Sequence, residues 1–221
     1  MPMGDDIEAL PAGIVTESSV EAICLVRVAA AVAALDETAV RKEMKAAHNR
    51  VDPAFVEEVI LQSYLFAGFP RALNAARIWR TFSREAAAAT LEQADDIAGW
   101  RENGKRTCET VYGSAYEKLR TNIRELHPLL DDWMITEGYG KVLSRPQLSL
   151  KLRELCIVAA CAASGQQRQL HSHLRGALNA GVSPDAVERT LDALSDLISA
   201  DRLVSYKLLF ARVKRGGSDV H

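Results

Sequence analysis

Two long stretches of this chain are apolar on nearly every side, and they restrict the fold more than any other feature. EAICLVRVAAAVAAL (Glu21–Leu35) and the run from Leu155 through Ala162 both read as helices without a polar face. Such a helix has to be covered all round by other elements. The two stretches also echo each other. ICLVRVAAAVAA (Ile23–Ala34) recurs 132 positions later as LCIVAACAASGQ, starting at Leu155, and VDPAFVE recurs 131 positions after Val51 as VSPDAVE, starting at Val182. Each copy reads as an apolar helix, a second helix and a third that starts at a proline. We therefore expect an all-α protein, a helical bundle of two pseudo-repeated three-helix units that bury each other's apolar faces. No stretch alternates for long enough to predict a strand.

The punctuation of the chain sets the expected boundaries. Residues 1–17 form an N-terminal arm interrupted by Gly and Pro, and Ser18-x-x-Glu21 is a capping box that opens the first repeat, 18–83. Connecting helices occupy 84–147, with a polar Ala-rich helix over 86–106 and a loop marked by Tyr139-Gly140 and Arg145-Pro146. The second repeat spans 148–213, and 214–221 is a frayed tail. Within the second repeat, Ser149 caps the first helix and Gly165 ends it in the left-handed conformation. The next helix starts near Gln166 and stops at Gly181, after which Ser183-Pro184 supplies a cap and a first-turn proline.

This hairpin carries two ionisable residues at matching heights. Glu154 lies about 16 Å before the Gly165 turn and His173 about 12 Å after it, at 1.5 Å per residue. Antiparallel packing lets the carboxylate and the imidazole meet across the seam. Such a pair either moves protons near neutral pH, with the carboxylate orienting the ring, or satisfies itself as a polar contact in a helical core. The first copy lacks the pair: Ala22 stands opposite Glu154, and Arg41 or Lys42 opposite His173.

The run R-E-L-x-x-V-A, a glycine turn, and then H-x-x-x-A-L-x-x-G-V-S-P-D-A-V-E resembles the carboxymuconolactone decarboxylase family, related to the alkyl hydroperoxidase D proteins. Tyr64–Asn74 (YLFAGFPRALN) is similar to that family's Y-x-G-x-P motif. The resemblance implies an alkyl hydroperoxidase D-like fold, and it implies that Glu154 and His173 are the catalytic acid–base pair. In the redox branch a C-x-x-C opens the second helix, four residues before the histidine. Here those positions are Gln166 and Gln169, and no C-x-x-C occurs anywhere in the chain. Peroxide reduction needs a thiolate at that helix start, so the departure argues against it.

The resemblance to the decarboxylase branch implies instead cofactor-free decarboxylation or isomerisation of a small carboxylated or lactone substrate, with His173 as general acid or base and Glu154 orienting it. Arg71, Arg153, Arg175 and Arg145 are candidates to hold a substrate carboxylate, since a guanidinium meets it bidentately. Gln166 and Gln169, in the vacated thiol positions, join them as substrate-binding candidates. The alternative is a non-catalytic oligomeric protein that kept the scaffold; fold alone implies no activity.

Bulk properties narrow the partners. A formal net charge of −2 gives no reason to expect nucleic acid or an anionic membrane. No apolar run reaches spanning length, and the acidic start MPMGDDIEAL does not read as a secretory signal, so a cytoplasmic location is expected. No metal site is expected, because His171 and His173 fall on different helix faces. Cys24, Cys108, Cys156 and Cys161 have neither disulfide-framework nor zinc spacing. Helices apolar all round favour self-association, and the resemblance implies a homo-oligomer such as a trimer or hexamer.

Overall fold

The computed structural model describes residues 15–84 and 96–216. Most of the expected arm, the 85–95 part of the polar connecting segment and residues 217–221 of the tail lie outside these. The described residues are all α, without a strand. The helices are α1 (Val20–Ala34), α2 (Glu37–His48), α3 (Pro53–Ala67), α4 (Phe69–Trp79), α5 (Ile97–Tyr112), α6 (Tyr116–Leu126), α7 (Pro128–Trp133), α8 (Leu150–Ser164), α9 (Gln167–Asn179), α10 (Pro184–Asp192) and α11 (Ala200–Gly216). A π-helical segment, Met134–Leu143, continues α7.

Short-range chemistry places these elements. Ser19, Asp36, Ser149 and Ser183 each accept a hydrogen bond from the backbone three residues on, capping α1, α2, α8 and α10. The cap of α1 is Ser19 rather than Ser18, whose hydroxyl instead accepts from Arg189 on α10. Pro53 and Pro184 sit in the first turns of α3 and α10, where the missing N–H costs nothing. Gly165 closes α8 with φ 76°, the left-handed cap expected of it.

The core is built on α1 and α8. Every residue of α8 from Leu152 to Ala163 is buried, and so are most of those of α1 from Ala22 to Ala33. These two apolar helices pack along each other, α3 and α9 flank them, and α10 touches both. Their alanines let the backbones approach closely, so neither helix retains a solvent face. This is the physical outcome that the absence of a polar stripe demanded.

Two expectations, one in the connecting region and one at the C-terminal tail, are corrected. Tyr139 and Gly140 do not mark a loop; both are buried inside the π-helical segment, which packs along α5. A Cβ on Gly104 would run into the Ile135 carbonyl, and one on Gly140 into the Trp100 carbonyl. The two glycines are thus what allow backbone-to-backbone contact between the segments, and Gly140 is a packing residue rather than a turn signal. At the other end, residues 214–216 belong to α11 rather than to a tail.

Candidate functional site

Helices α8 and α9 form the hairpin anticipated above, and it brings Glu154 and His173 together. His173 Nδ1 lies 2.9 Å from Glu154 Oε2. Glu154 is 0% exposed and His173 6%. In the tautomer protonated on Nδ1, the ring donates to the carboxylate and leaves Nε2 as an acceptor. Nε2 has no hydrogen-bond partner among the described residues, and Phe66 of α3 meets the ring edge-on at 5.9 Å. The other carboxylate oxygen, Glu154 Oε1, is buried with no hydrogen-bond partner among the described residues. An unpaired buried carboxylate oxygen is costly, so this atom marks the pair as incomplete.

Helix α5 and the π-helical segment close the site from the far side. Gly176 of α9 makes room there: a Cβ on it would stand 2.6 Å from Val111 Cγ1 and 2.9 Å from Glu154 Oε2. Around the carboxylate gather weakly acidic groups that feel its charge. Burial pushes the Tyr112 hydroxyl up to about 12, against the pull of the neighbouring Tyr139 hydroxyl, and the Glu154 charge adds to the rise. Burial likewise holds Tyr139 well above the ordinary tyrosine value. The thiols of Cys108 and Cys161 are pushed up to about 12 by burial, with Glu154 again contributing. Cys156, enclosed in α8, reaches about 12 through burial alone against the pull of Arg153. These are inert thiols, the opposite of the lowered values that nucleophilic cysteines need.

The candidate substrate-binding residues are not gathered around the pair. Arg153 is corrected outright: it is fully buried and bonds Glu58 at 2.7 Å, Gln62 Oε1 at 3.2 Å and the Leu148 carbonyl at 3.1 Å. It ties α8 to α3 and, fully buried, exposes no donor to a ligand. Arg145 is likewise taken, reaching Glu58 through Nε and a terminal nitrogen. Arg71 caps the C-terminal end of α1, donating to the Val32 carbonyl at 2.6 Å and to Leu35. Gln166 and Gln169 are exposed at the start of α9. Arg175 is exposed two residues beyond His173, on another face of α9, and lines a cavity of about 500 Å³ with Tyr112, Leu178 and Val213.

Phe66, Tyr112 and Gly176 were not singled out from the sequence, and Tyr139 was read only as a loop marker, not as a site residue. Phe66 lies within the Y-x-G-x-P segment, two residues after Tyr64, so the motif pointed at it without naming it. The two tyrosines gave no local signal, because only the packing of α5 and the π-helical segment brings them to the carboxylate. No group of three or more His, Cys, Asp or Glu side chains that could hold a metal ion is found among the described residues.

The sequence model of the Carboxymuconolactone decarboxylase family matches residues 130–203, a span that holds the π-helical segment, both members of the pair and α10. Two curated proteins are similar over longer stretches. Peroxisomal protein 2 of Schizosaccharomyces pombe is 32% identical over 152 residues, covering 65% of this chain and 70% of that protein. Peroxisomal protein 2 of Saccharomyces cerevisiae is 26% identical over 180 residues, covering 68% of this chain and 62% of its own length. With the helical hairpin, the Glu–His contact across it and this breadth of similarity in hand, the chain belongs to the carboxymuconolactone decarboxylase family.

Proposed function

We propose that the chain performs cofactor-free acid–base chemistry, decarboxylation or isomerisation, on a small carboxylated or lactone substrate. The observation that carries this reading is the buried Glu154–His173 contact with an unpaired atom at each end, Nε2 of the imidazole and Oε1 of the carboxylate. His173 takes or gives the proton through Nε2, and Glu154 holds the ring and stabilises the imidazolium that forms. The high values of Cys108, Cys156 and Cys161 weigh against thiol-dependent peroxide reduction. The test is turnover of a panel of lactones and β-keto acids by the unaltered chain, His173→Ala and Glu154→Gln. Turnover lost in both variants supports the reading, and turnover untouched by either sinks it.

A second reading, a non-catalytic scaffold, is favoured by the engagement of Arg71, Arg145 and Arg153 in structural contacts. It predicts no turnover by the unaltered chain on any of that panel. In either case we propose self-association through Leu126, Leu129, Leu130 and Trp133, which leave 73%, 50%, 50% and 54% of their surfaces exposed along α6 and α7.

No helix among the described residues is long and apolar enough to cross a membrane. The names of the yeast relatives support a peroxisomal location, in place of the cytoplasmic one expected from the sequence. Imaging a fluorescent fusion beside a peroxisomal marker distinguishes the two.

A further inference from the structure

Most described arginines are engaged. Arg27 meets Glu43 and Asp196, Arg120 and Arg124 meet Asp131, and Arg145 and Arg153 share Glu58. Arg168 on α9 and Arg212 on α11 are different: neither makes a hydrogen bond or ion pair through its side chain with a described residue. Both line one groove of about 570 Å³ between the two helices, and His171, one turn after Arg168, joins them. Among the described residues, no carboxylate lines this groove. Two guanidiniums therefore line a shared space with no counter-charge among the described residues, an arrangement that favours an anion.

The remaining lining specifies the anion further. Ser172 and Ser205 add hydroxyls, and Tyr206, Leu208 and Leu209 form an apolar wall. Donors arriving from two helices suit a tetrahedral group with three terminal oxygens better than a planar carboxylate with two. A phosphate monoester carries about −1.5 to −2 charges at pH 7, which matches the two guanidiniums. We propose that the α9–α11 groove is a binding site for a phosphate monoester that carries a small apolar group. This site is distinct from the Glu154–His173 pair, neither member of which lines it.

The test is calorimetric titration of the full chain with phenyl phosphate, and with benzoate for comparison. One saturable site per chain is expected, with benzoate binding at least about tenfold more weakly, since charge-assisted bonds are lost with the third oxygen and the second charge. Arg168→Ala and Arg212→Ala should each weaken phenyl phosphate binding about tenfold or more. Because neither side chain bonds another described residue, both variants should melt as the unaltered chain does. Arg77→Ala on α4, which removes another exposed arginine without a hydrogen bond or ion pair, should leave binding unchanged. Glu154→Gln should also bind normally, so failure of the acid–base reading and failure of this one are separately visible. The proposal is overturned by non-saturable binding, by benzoate binding as tightly, by indifference to Arg168 and Arg212, or by equal loss in Arg77→Ala. A groove closed by a second copy would appear as a change of oligomeric state in Arg212→Ala without phosphate binding, and that too overturns it.

Discussion

The hairpin of α1 and α2 and the hairpin of α8 and α9 each carry a charged contact across the seam, and they differ in how completely it is satisfied. In the first, Arg27 Nε bonds Glu43 Oε2 at 2.7 Å while a terminal nitrogen bonds Oε1 at 2.9 Å. Arg27 also reaches Asp196 and the Ala193 carbonyl, so both carboxylate oxygens of Glu43 and the guanidinium are occupied. In the second, Glu154 spends one oxygen on His173 and keeps the other unpaired. A saturated bridge fixes two helices and does nothing else. One left with an unpaired acceptor at each end can still exchange protons, which is how a shared scaffold can hold a structural clasp on one side and chemistry on the other.

The contrast breaks first on activity. If the second hairpin alone is chemical, His173→Ala and Glu154→Gln lower kcat by about 10²–10⁴, the usual worth of a general acid–base. Glu43→Gln should leave turnover of the same substrate within a factor of about two of the unaltered chain, because a pair remote from the chemistry adds nothing to the barrier. Steady-state rates on a substrate found in the panel decide this.

Next in size is the clasp that Glu58 of α3 makes with Arg145 and Arg153. Glu58→Ala strands the buried Arg153, and chemical denaturation should show a loss of about 3–5 kcal/mol. Burial pushes the Glu58 carboxyl up, and Arg145 and Arg153 more than reverse it, so its value falls below the ordinary 4.5. A lowered folded-state value means the contribution is complete above about pH 4.5 and fades as pH falls through the folded value. Denaturation at stepped pH should show that fading in the unaltered chain and not in Glu58→Gln.

Smaller effects sharpen the contrast. Glu43→Ala should cost about 1–3 kcal/mol, tempered because Arg27 is partly exposed and keeps Asp196. Glu154→Gln should change stability by less than about 1 kcal/mol, because the amide preserves the shape of a carboxylate that was only half satisfied. Thermal melts of the two variants side by side test this. A Glu154→Gln penalty larger than that of Glu43→Ala would mean that the second pair is the structural one.

Local rules were enough for the element layout. Ser149, Gly165, Ser183-Pro184 and Asp52-Pro53 act on the backbone within a few residues of themselves, so their meaning does not wait for the fold. The Glu154–His173 meeting was also legible, because a tight turn and a fixed rise of 1.5 Å per residue convert sequence distance into height. The fate of the arginines was not. Arg153 and Arg71 read from the sequence as candidates to hold a substrate carboxylate, yet Glu58 and Gln62 on α3 engage the one and carbonyls at the end of α1 the other. Tyr139-Gly140 read as a turn because glycine punctuates loops more often than it permits close packing.

By itself, then, the sequence determined an all-helical bundle, the two buried central helices and the carboxylate–imidazole pair, since each follows from periodicity, caps and short-range geometry. Tertiary structure alone decided how the charged groups were partnered: Glu58 claiming two arginines, Glu154 spending one oxygen on His173, and Arg168 and Arg212 lining one groove. Those outcomes depend on partners far away in the chain, as Glu58 is from Arg153, and no local pattern encodes where such a partner will stand.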